Sequence, residues 1–368
     1  MSTTSGLYLH FPWCVRKCPY CDFNSHPLNG TLDEEGYLAA LRTDLKFNLP
    51  GDARIDSVFF GGGTPSLFSP RAFAILLDDL RSHLAADAEI TMEANPGTTE
   101  HWELAEYRAA GINRLSLGAQ SFEDSQLRRL GRIHTATETL QSYAQARAAG
   151  FENINLDLMY GLPRQTADAA LADLQCALDL APEHISWYQL TIEPRTEFAQ
   201  RPPVLATESA IEDMETHGRQ SLEAAGYERY EVSAYALPDR ASRHNLNYWT
   251  FGDYFGVGAG AHGKLTLGDN IVRTRKPRQP RLYLKDPAAT IRVPVEVAEL
   301  TFEFMLNALR LSEGVSFERF SDRTGLDRQV LEPTWSQLVA QGLVERAKIA
   351  TTALGYRYLD SVVQQFLA

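Results

Sequence analysis

Six short β-rich runs, each followed by a stretch of helical periodicity, fill the first two-thirds of the chain, and this alternation fixes the class of fold. The runs fall at 7–11, 57–60, 89–93, 114–117, 153–158 and 185–192. Between them lie amphipathic stretches. One carries Leu38, Leu41 and Leu45 after Asp33. Another carries Phe73, Leu76, Leu77, Leu80 and Leu84, with Ser69 placed as its N-cap and Pro70 as its first helical residue. A third runs over 137–149 and stops at Gly150, where a glycine can close the helix in a left-handed turn. Strands joined through helices lie parallel and cross over right-handed. Six units fall short of the eight of a closed barrel, so the alternation predicts an α/β fold, a curved partial (β/α)6 barrel. Functional groups in such folds gather at the carboxyl ends of the strands.

The remainder differs in texture. A proline pair (Pro202, Pro203), a helical stretch at 209–225 and a β-like run at 227–235 lead out of the barrel. The domain boundaries expected are 1–235 for the barrel, 236–294 for a connecting region and 295–368 for a small, mainly helical, winged-helix-like domain. The connecting region holds a basic run, Arg273, Arg275, Lys276, Arg278, Arg281 and Lys285, broken by Pro277 and Pro280. It reads as an exposed loop. With 44% apolar and 22% charged residues the chain can bury a substantial core. No apolar stretch reaches the 18 residues or so that a membrane span needs. The opening residues lack the basic segment and apolar core of a secretory signal, and four cysteines make no disulfide framework, so a reducing cytoplasm is expected. A formal net charge of −12 argues against a nucleic-acid partner.

Three of the four cysteines crowd into one loop directly after the first strand run. Cys14, Cys18 and Cys21 are spaced Cys-x3-Cys-x2-Cys, and Cys176 lies far downstream. A [4Fe–4S] cube normally takes four thiolates. Three close cysteines hold three irons and leave the fourth open to a small molecule, which makes the site one for chemistry rather than electron relay. A zinc site would need a second Cys or His pair at short spacing, and none follows.

The flanking wording, Tyr-Leu-His-Phe-Pro-Trp-Cys from Tyr8 and Cys-Pro-Tyr-Cys-Asp-Phe from Cys18, closely resembles the radical S-adenosylmethionine (SAM) superfamily. The resemblance implies the partial barrel, a [4Fe–4S] cluster and SAM. In that family the open iron chelates the amino and carboxylate groups of SAM, and one-electron reduction splits it into methionine and a 5′-deoxyadenosyl radical. The wording narrows the match to the branch containing oxygen-independent coproporphyrinogen III dehydrogenase and a related haem chaperone.

Several strand ends carry groups suited to a polar ligand. Gly61-Gly62-Gly63-Thr64-Pro65 follows the second run, where glycines let a ligand approach the main chain. Glu93 ends the third run; a carboxylate there can accept from ribose hydroxyls or stand solvated. Gln120 ends the fourth and offers both donor and acceptor. Arg132 can present a bidentate fork to a carboxylate. Asp157 is a charge inside an apolar run and needs a partner. The resemblance gives Gly63 and Thr64 the methionyl amino group of SAM. It places Tyr8, Tyr20, Pro65, Glu93, Gln120, Arg132 and Asp157 around the same molecule. In the dehydrogenase Gln, Arg and Asp at these positions belong to a second SAM site, so the number of SAM molecules stays open.

His244-Asn245-Leu246-Asn247-Tyr248-Trp249 supplies a histidine among aromatic residues. Such a histidine can be an ordinary satisfied one, or it can ligate haem iron in an apolar pocket. The pattern His-Asn-x-x-Tyr-Trp resembles the segment that marks the haem-chaperone branch, which implies haem binding through His244. The glycines at 256, 258 and 260 miss the dinucleotide-binding spacing and are expected to form a close-packed turn lining the site, with His262 as a second candidate ligand. The basic run can neutralise haem propionates. Two features separate the branch's members: the dehydrogenase carries a further cysteine where this chain has Phe23, and it is longer before the first cluster cysteine. The expected function is therefore a haem chaperone that binds a SAM-ligated cluster and haem and passes haem to an acceptor protein, with contact to membrane haem proteins left open. The alternative is the dehydrogenase, by radical oxidative decarboxylation. An RNA-modifying radical SAM enzyme would want a basic face.

Overall fold

The computed structural model describes residues 4–97 and 103–367. All six predicted strands are present: β1 (Ser5–Phe11), β2 (Ile55–Gly62), β3 (Leu84–Ala94), β4 (Arg114–Gln120), β5 (Ile154–Tyr160) and β6 (His184–Gln189). Each pairs parallel with the next. The sheet continues past both edges. β7 (Glu228–Glu231) and β8 (Ala234–Ala236) form an antiparallel hairpin on β6. On the other side β9 (Tyr254–Val257) lies parallel to β1 and is followed antiparallel by β10 (His262–Leu267), β11 (Asn270–Arg275) and β12 (Ile291–Pro294). The twelve strands run in the order β12-β11-β10-β9-β1-β2-β3-β4-β5-β6-β8-β7, an open sheet rather than a closed barrel.

Side chains alternate between the two faces of a strand, and here the two faces have opposite chemistry. Outward go Leu7, Leu9, Val58, Phe60, Met92, Leu115, Leu117, Ile154, Leu156, Ile185 and their like, buried under the helices in one continuous core. Inward go Tyr8, His10, Ser57, Glu89, Glu93, Ser116, Asn155, Asp157 and His184. A parallel sheet covered on both faces would be apolar on both. A polar concave face marks this one as the wall of a site.

The helices start where the sequence places them. Glu34–Asn48 is capped by Asp33, whose carboxylate accepts from Gly36 N at 2.9 Å. Ala136–Ala148 opens with a capping box between Thr135 and Glu138, and Gly150 takes the left-handed φ of 83° that its role requires. Ser69 precedes the helix Pro70–Leu80 as expected, but its side chain does not cap it. Its hydroxyl and backbone N–H both donate to Glu34, tying the second helix to the first.

Beyond the barrel two expectations change. The glycine segment 256–263 is not one turn: it is the end of β9, a short turn and the start of β10. The basic run is not an exposed loop, because Arg273 and Arg275 lie in β11 and Lys276 is buried. The C-terminal portion is mainly helical, as expected, with isolated bridges between Val344 and Thr351 and between Val315 and Ile349. That portion has its own apolar core around Phe304, Phe320 and Trp335, which also takes in Phe251 and Ile271. Among the described residues no helix is long and apolar enough to cross a membrane.

Candidate functional site

A cavity of about 450 Å³ opens at the carboxyl ends of β2 to β6. Cys14, Cys18 and Cys21 form one rim, and Tyr20, Gly63, Thr64, Glu93, Gln120, Arg132 and Asp157 contribute to its wall. Ten of the expected site residues, drawn from six stretches of sequence, thus line one cavity. Three do not. Tyr8 faces an adjoining cavity, Pro65 is buried at the start of a short 3-10 turn, and His244 lies beneath the floor.

The cysteine loop is anchored to the barrel by backbone bonds. Trp13–Cys14 pairs with His26–Pro27, and Cys21 N donates to Cys18 O at 3.1 Å. Lys17 Nζ closes the loop on the carbonyls of Phe23 (2.9 Å) and Ser25 (3.2 Å). All four cysteines are free thiols, and Cys176 is exposed on a helix away from the other three. Burial pushes the Cys14 and Cys21 thiols up, opposed in each by the Ser25 hydroxyl. The three cysteines line one cavity, and among the described residues no three His, Cys, Asp or Glu side chains converge as ligands of a single ion would. Three thiols around an open rim fit a cluster of several irons better than one mononuclear metal.

The glycine strand end is held against that loop. Gly63 N donates to Phe11 O and Thr64 N to Trp13 O, both at 2.7 Å. Gly62 sits at φ 115°, and a Cβ there would meet the His10 ring at 2.4 Å, so no other residue fits. With the Gly63 N–H already engaged, what this segment can offer an ammonium is acceptors. Thr64 Oγ1 is one, oriented by Asn95 Nδ2 at 3.0 Å.

Of the carboxyls that line the cavity, Glu93 and Asp157 stand on the strands of the barrel. Glu93 accepts from Gly62 N at 3.0 Å. Burial raises it to about 7, Gly62 N opposes, and the nearby Asp157 charge raises it further. Asp157 has the partners that its place in an apolar run demands: Ser116 Oγ and Asn155 Nδ2, each at 2.8 Å. Burial still pushes it above the ordinary carboxyl value. Such a pair favours a cationic ligand. Gln120 ends β4 at φ 66°, a left-handed conformation uncommon for a non-glycine residue. Its Oε1 accepts from Tyr188 OH at 2.8 Å. Among the described residues Arg132 pairs with no carboxylate. Its guanidinium donates to Gly118 O at 2.9 Å and to Asn95 Oδ1, and it reaches the Cys18 sulfur at 3.8 Å. It therefore bridges the cysteine rim to the strand ends.

Sequence reasoning passed over Asn95 and Tyr188. Both occupy the inward position just past, or at, a strand end, the position that singled out Glu93 and Gln120. Applied to β6, the same rule finds Tyr188.

His244 occupies the helix Arg243–Trp249, which closes the amino end of the barrel. Its side chain stacks on Phe59 (centroids 4.9 Å apart, 23° between planes) and meets Tyr248 edge-on at 4.9 Å. Nδ1 lies 3.3 Å from Ser57 Oγ, and among the described residues Nε2 has no hydrogen-bond partner. At 3% exposure it lines neither cavity. The structure thus does not bring His244 to a surface where an iron porphyrin reaches it. The motif residue at a cavity wall is Tyr248.

A partial barrel with three cysteines after its first strand and a glycine-rich end on its second defines a radical SAM protein. The Radical SAM superfamily profile matches residues 8–176, and the HemN C-terminal domain profile matches residues 295–349. The fold superimposes on coproporphyrinogen III oxidase (HemN) from Escherichia coli with a TM-score of 0.83 at 23% identity, covering 99% of this chain and 90% of that one. The sequence is 48% identical to the heme chaperone HemW of Escherichia coli (strain K12) over 99% of this chain and 98% of that protein. It is 44% identical to HemW of Haemophilus influenzae, over 98% and 97%. The chain belongs to the HemW family of radical SAM proteins. Membership implies a [4Fe–4S] cluster and SAM.

Proposed function

We propose that this chain is a haem chaperone: it holds SAM beside a three-cysteine [4Fe–4S] cluster, binds haem and delivers it to an acceptor haem protein. The observation that carries the reading is similarity to heme chaperones at up to 48% identity over nearly the whole of both chains. When bound, the cluster supplies an open iron for SAM and an electron for its cleavage. Cys14, Cys18 and Cys21 hold it. Thr64 and the Gly63 carbonyl accept from the methionyl ammonium, Glu93 takes the ribose hydroxyls, and Gln120, Arg132 and Asp157 orient the remainder, with Tyr20 packed over the cysteine loop. Pro65 shapes the turn behind Thr64. Four free thiols suit a reducing cytoplasm, where we place the protein.

Phe23 separates this reading from porphyrinogen oxidation. It stands 61% exposed at the cavity rim, where the related dehydrogenase has a further cysteine. Radical oxidation requires a substrate held rigidly and shielded from water. The test uses one anaerobically reconstituted preparation. Titrated haem is expected to give a saturable Soret band at one haem per chain, and coproporphyrinogen with SAM and reductant is expected to give no protoporphyrinogen. Absent saturation, or clear turnover, overturns the proposal.

A further inference from the structure

A second cavity of about 790 Å³ adjoins the first and shares Phe23, Gly62 and Glu93 with it. Its size falls within the roughly 300–1,000 Å³ of small-molecule and cofactor sites. Aromatic side chains supply its apolar surface: Tyr8 from β1, Tyr248 from the helix below, Tyr254 from β9 and Phe23 from the cysteine loop. Two imidazoles reach it, and they differ in what they are free to do. The His10 ring is used on both sides, by Tyr8 OH at 2.9 Å and the Asn24 carbonyl at 2.9 Å. His262 is exposed at the start of β10, and among the described residues no hydrogen bond or ion pair engages its side chain.

The basic run sorts in the same way. Arg273 is taken by Glu303 and Tyr254, and Lys276 by Asp44. Arg275 and Arg278 are exposed, face the cavity and form no ion pair among the described residues. The register sets Arg275 directly opposite His262 on the neighbouring strand. One free imidazole, two free guanidiniums and an aromatic wall match an iron porphyrin with two propionates.

We propose that the cavity between the cysteine loop and the β10–β11 hairpin is the haem site, with His262 as the ligand to iron and Arg275 and Arg278 as the propionate partners. This rests on the reading of the chain as a haem carrier. It assigns the His-Asn-x-x-Tyr-Trp motif a different part: the motif delivers Tyr248 to the cavity wall, while His244 supports Tyr248 from behind as a positioning residue.

The test is ferric haem titration of the full-length reconstituted protein, read by the Soret position, the visible bands and the Kd. His262→Gly is expected to shift the Soret band and weaken binding about tenfold or more, and added imidazole to restore the wild-type spectrum. Arg275→Gln with Arg278→Gln is expected to weaken haem about tenfold or more, tenfold being roughly the size of a single lost charge-assisted hydrogen bond and so the lower bound for two, while leaving haem dimethyl ester, which lacks the carboxylates, unaffected. His244→Gln is expected to keep the wild-type Soret position. A wild-type spectrum and affinity in His262→Gly, or loss of the ligand signature in His244→Gln alone, refutes the site while haem carriage stands. A wild-type chain that never saturates with haem refutes both.

Discussion

Lys276 and Asp44 form an ion pair that joins the first helix to the segment carrying Arg275 and Arg278, and both side chains are inaccessible to solvent. Asp44 also accepts from Gly258 N (3.1 Å), Tyr283 OH (2.9 Å) and Asn48 Nδ2 (2.9 Å). Lys276 additionally donates to Thr290 Oγ1 at 2.7 Å. Burial pushes the Asp44 carboxyl up and the Lys276 ammonium down, so desolvation already offsets part of the attraction. Lys276→Met removes the cation but keeps the stem, leaving a buried carboxylate with three neutral donors. Breaking such a pair from one side typically costs about 3–5 kcal/mol. The carboxyl has an escape, because it can take a proton instead. Protonating a group of ordinary pKa near 3.9 costs about 4 kcal/mol at pH 7 and about 2 kcal/mol at pH 5.5, which caps the loss at each pH. In the variant the folded state then holds a proton that the unfolded chain has released, so stability falls as pH rises above about 4, by roughly 1.4 kcal/mol per unit. Urea unfolding of wild type and variant, followed by circular dichroism, is expected to give a difference of about 3–4 kcal/mol at pH 7 that shrinks to about 2 kcal/mol at pH 5.5. A difference below about 1 kcal/mol at pH 7, or one that ignores pH, would refute the reasoning.

Two further outcomes follow from the SAM cavity. Glu93 titrates near 7, and a cationic ligand favours its ionised form, so SAM binding releases a proton; isothermal titration should show affinity rising up to about tenfold from pH 6 to pH 8 in wild type and flat in Glu93→Gln. Gly62→Ala sets a Cβ against the His10 ring at a φ of 115°, and should cost about 1–3 kcal/mol by urea unfolding while weakening SAM binding through the displaced strand end.

The barrel was legible because its signals are local. Each strand is a run of alternating or apolar residues bounded by turn residues, and each following helix shows its own cap and periodicity. The first cavity was legible for a related reason. In a parallel sheet every strand presents its carboxyl end to the same side, so the last inward residue of each run joins one site whatever lies between. Glu93, Gln120 and Asp157 need no knowledge of tertiary contacts to be placed together. Asp157 shows where that logic stops. The sequence says that the charge needs a partner, but only the register across β4 and β5 makes the partner Ser116.

What escaped detection depends on residues far apart in sequence and carries no periodicity. Lys276 looked like one cation in a solvated run, yet its partner lies 232 residues earlier. Ser57 and His244 meet across 187 residues. His244 sits in a segment of distinctive wording, which makes it conspicuous, but wording cannot tell a residue that touches a ligand from one that holds up its neighbour. Here the stack on Phe59, the edge contact with Tyr248 and 3% exposure place His244 behind the cavity wall that Tyr248 lines. His262 stands in the sequence as a second candidate ligand that nothing local can rank, and its place at a cavity arises only when β9 returns parallel to β1. That pairing carries β10 and β11 to the edge of the cysteine loop, where Asn24 Nδ2 bonds the carbonyls of Ala259 and Arg278 at 3.0 and 2.9 Å. The same two bonds that fix the loop beside the first cavity therefore also fix one wall of the second, and that shared wall includes Phe23.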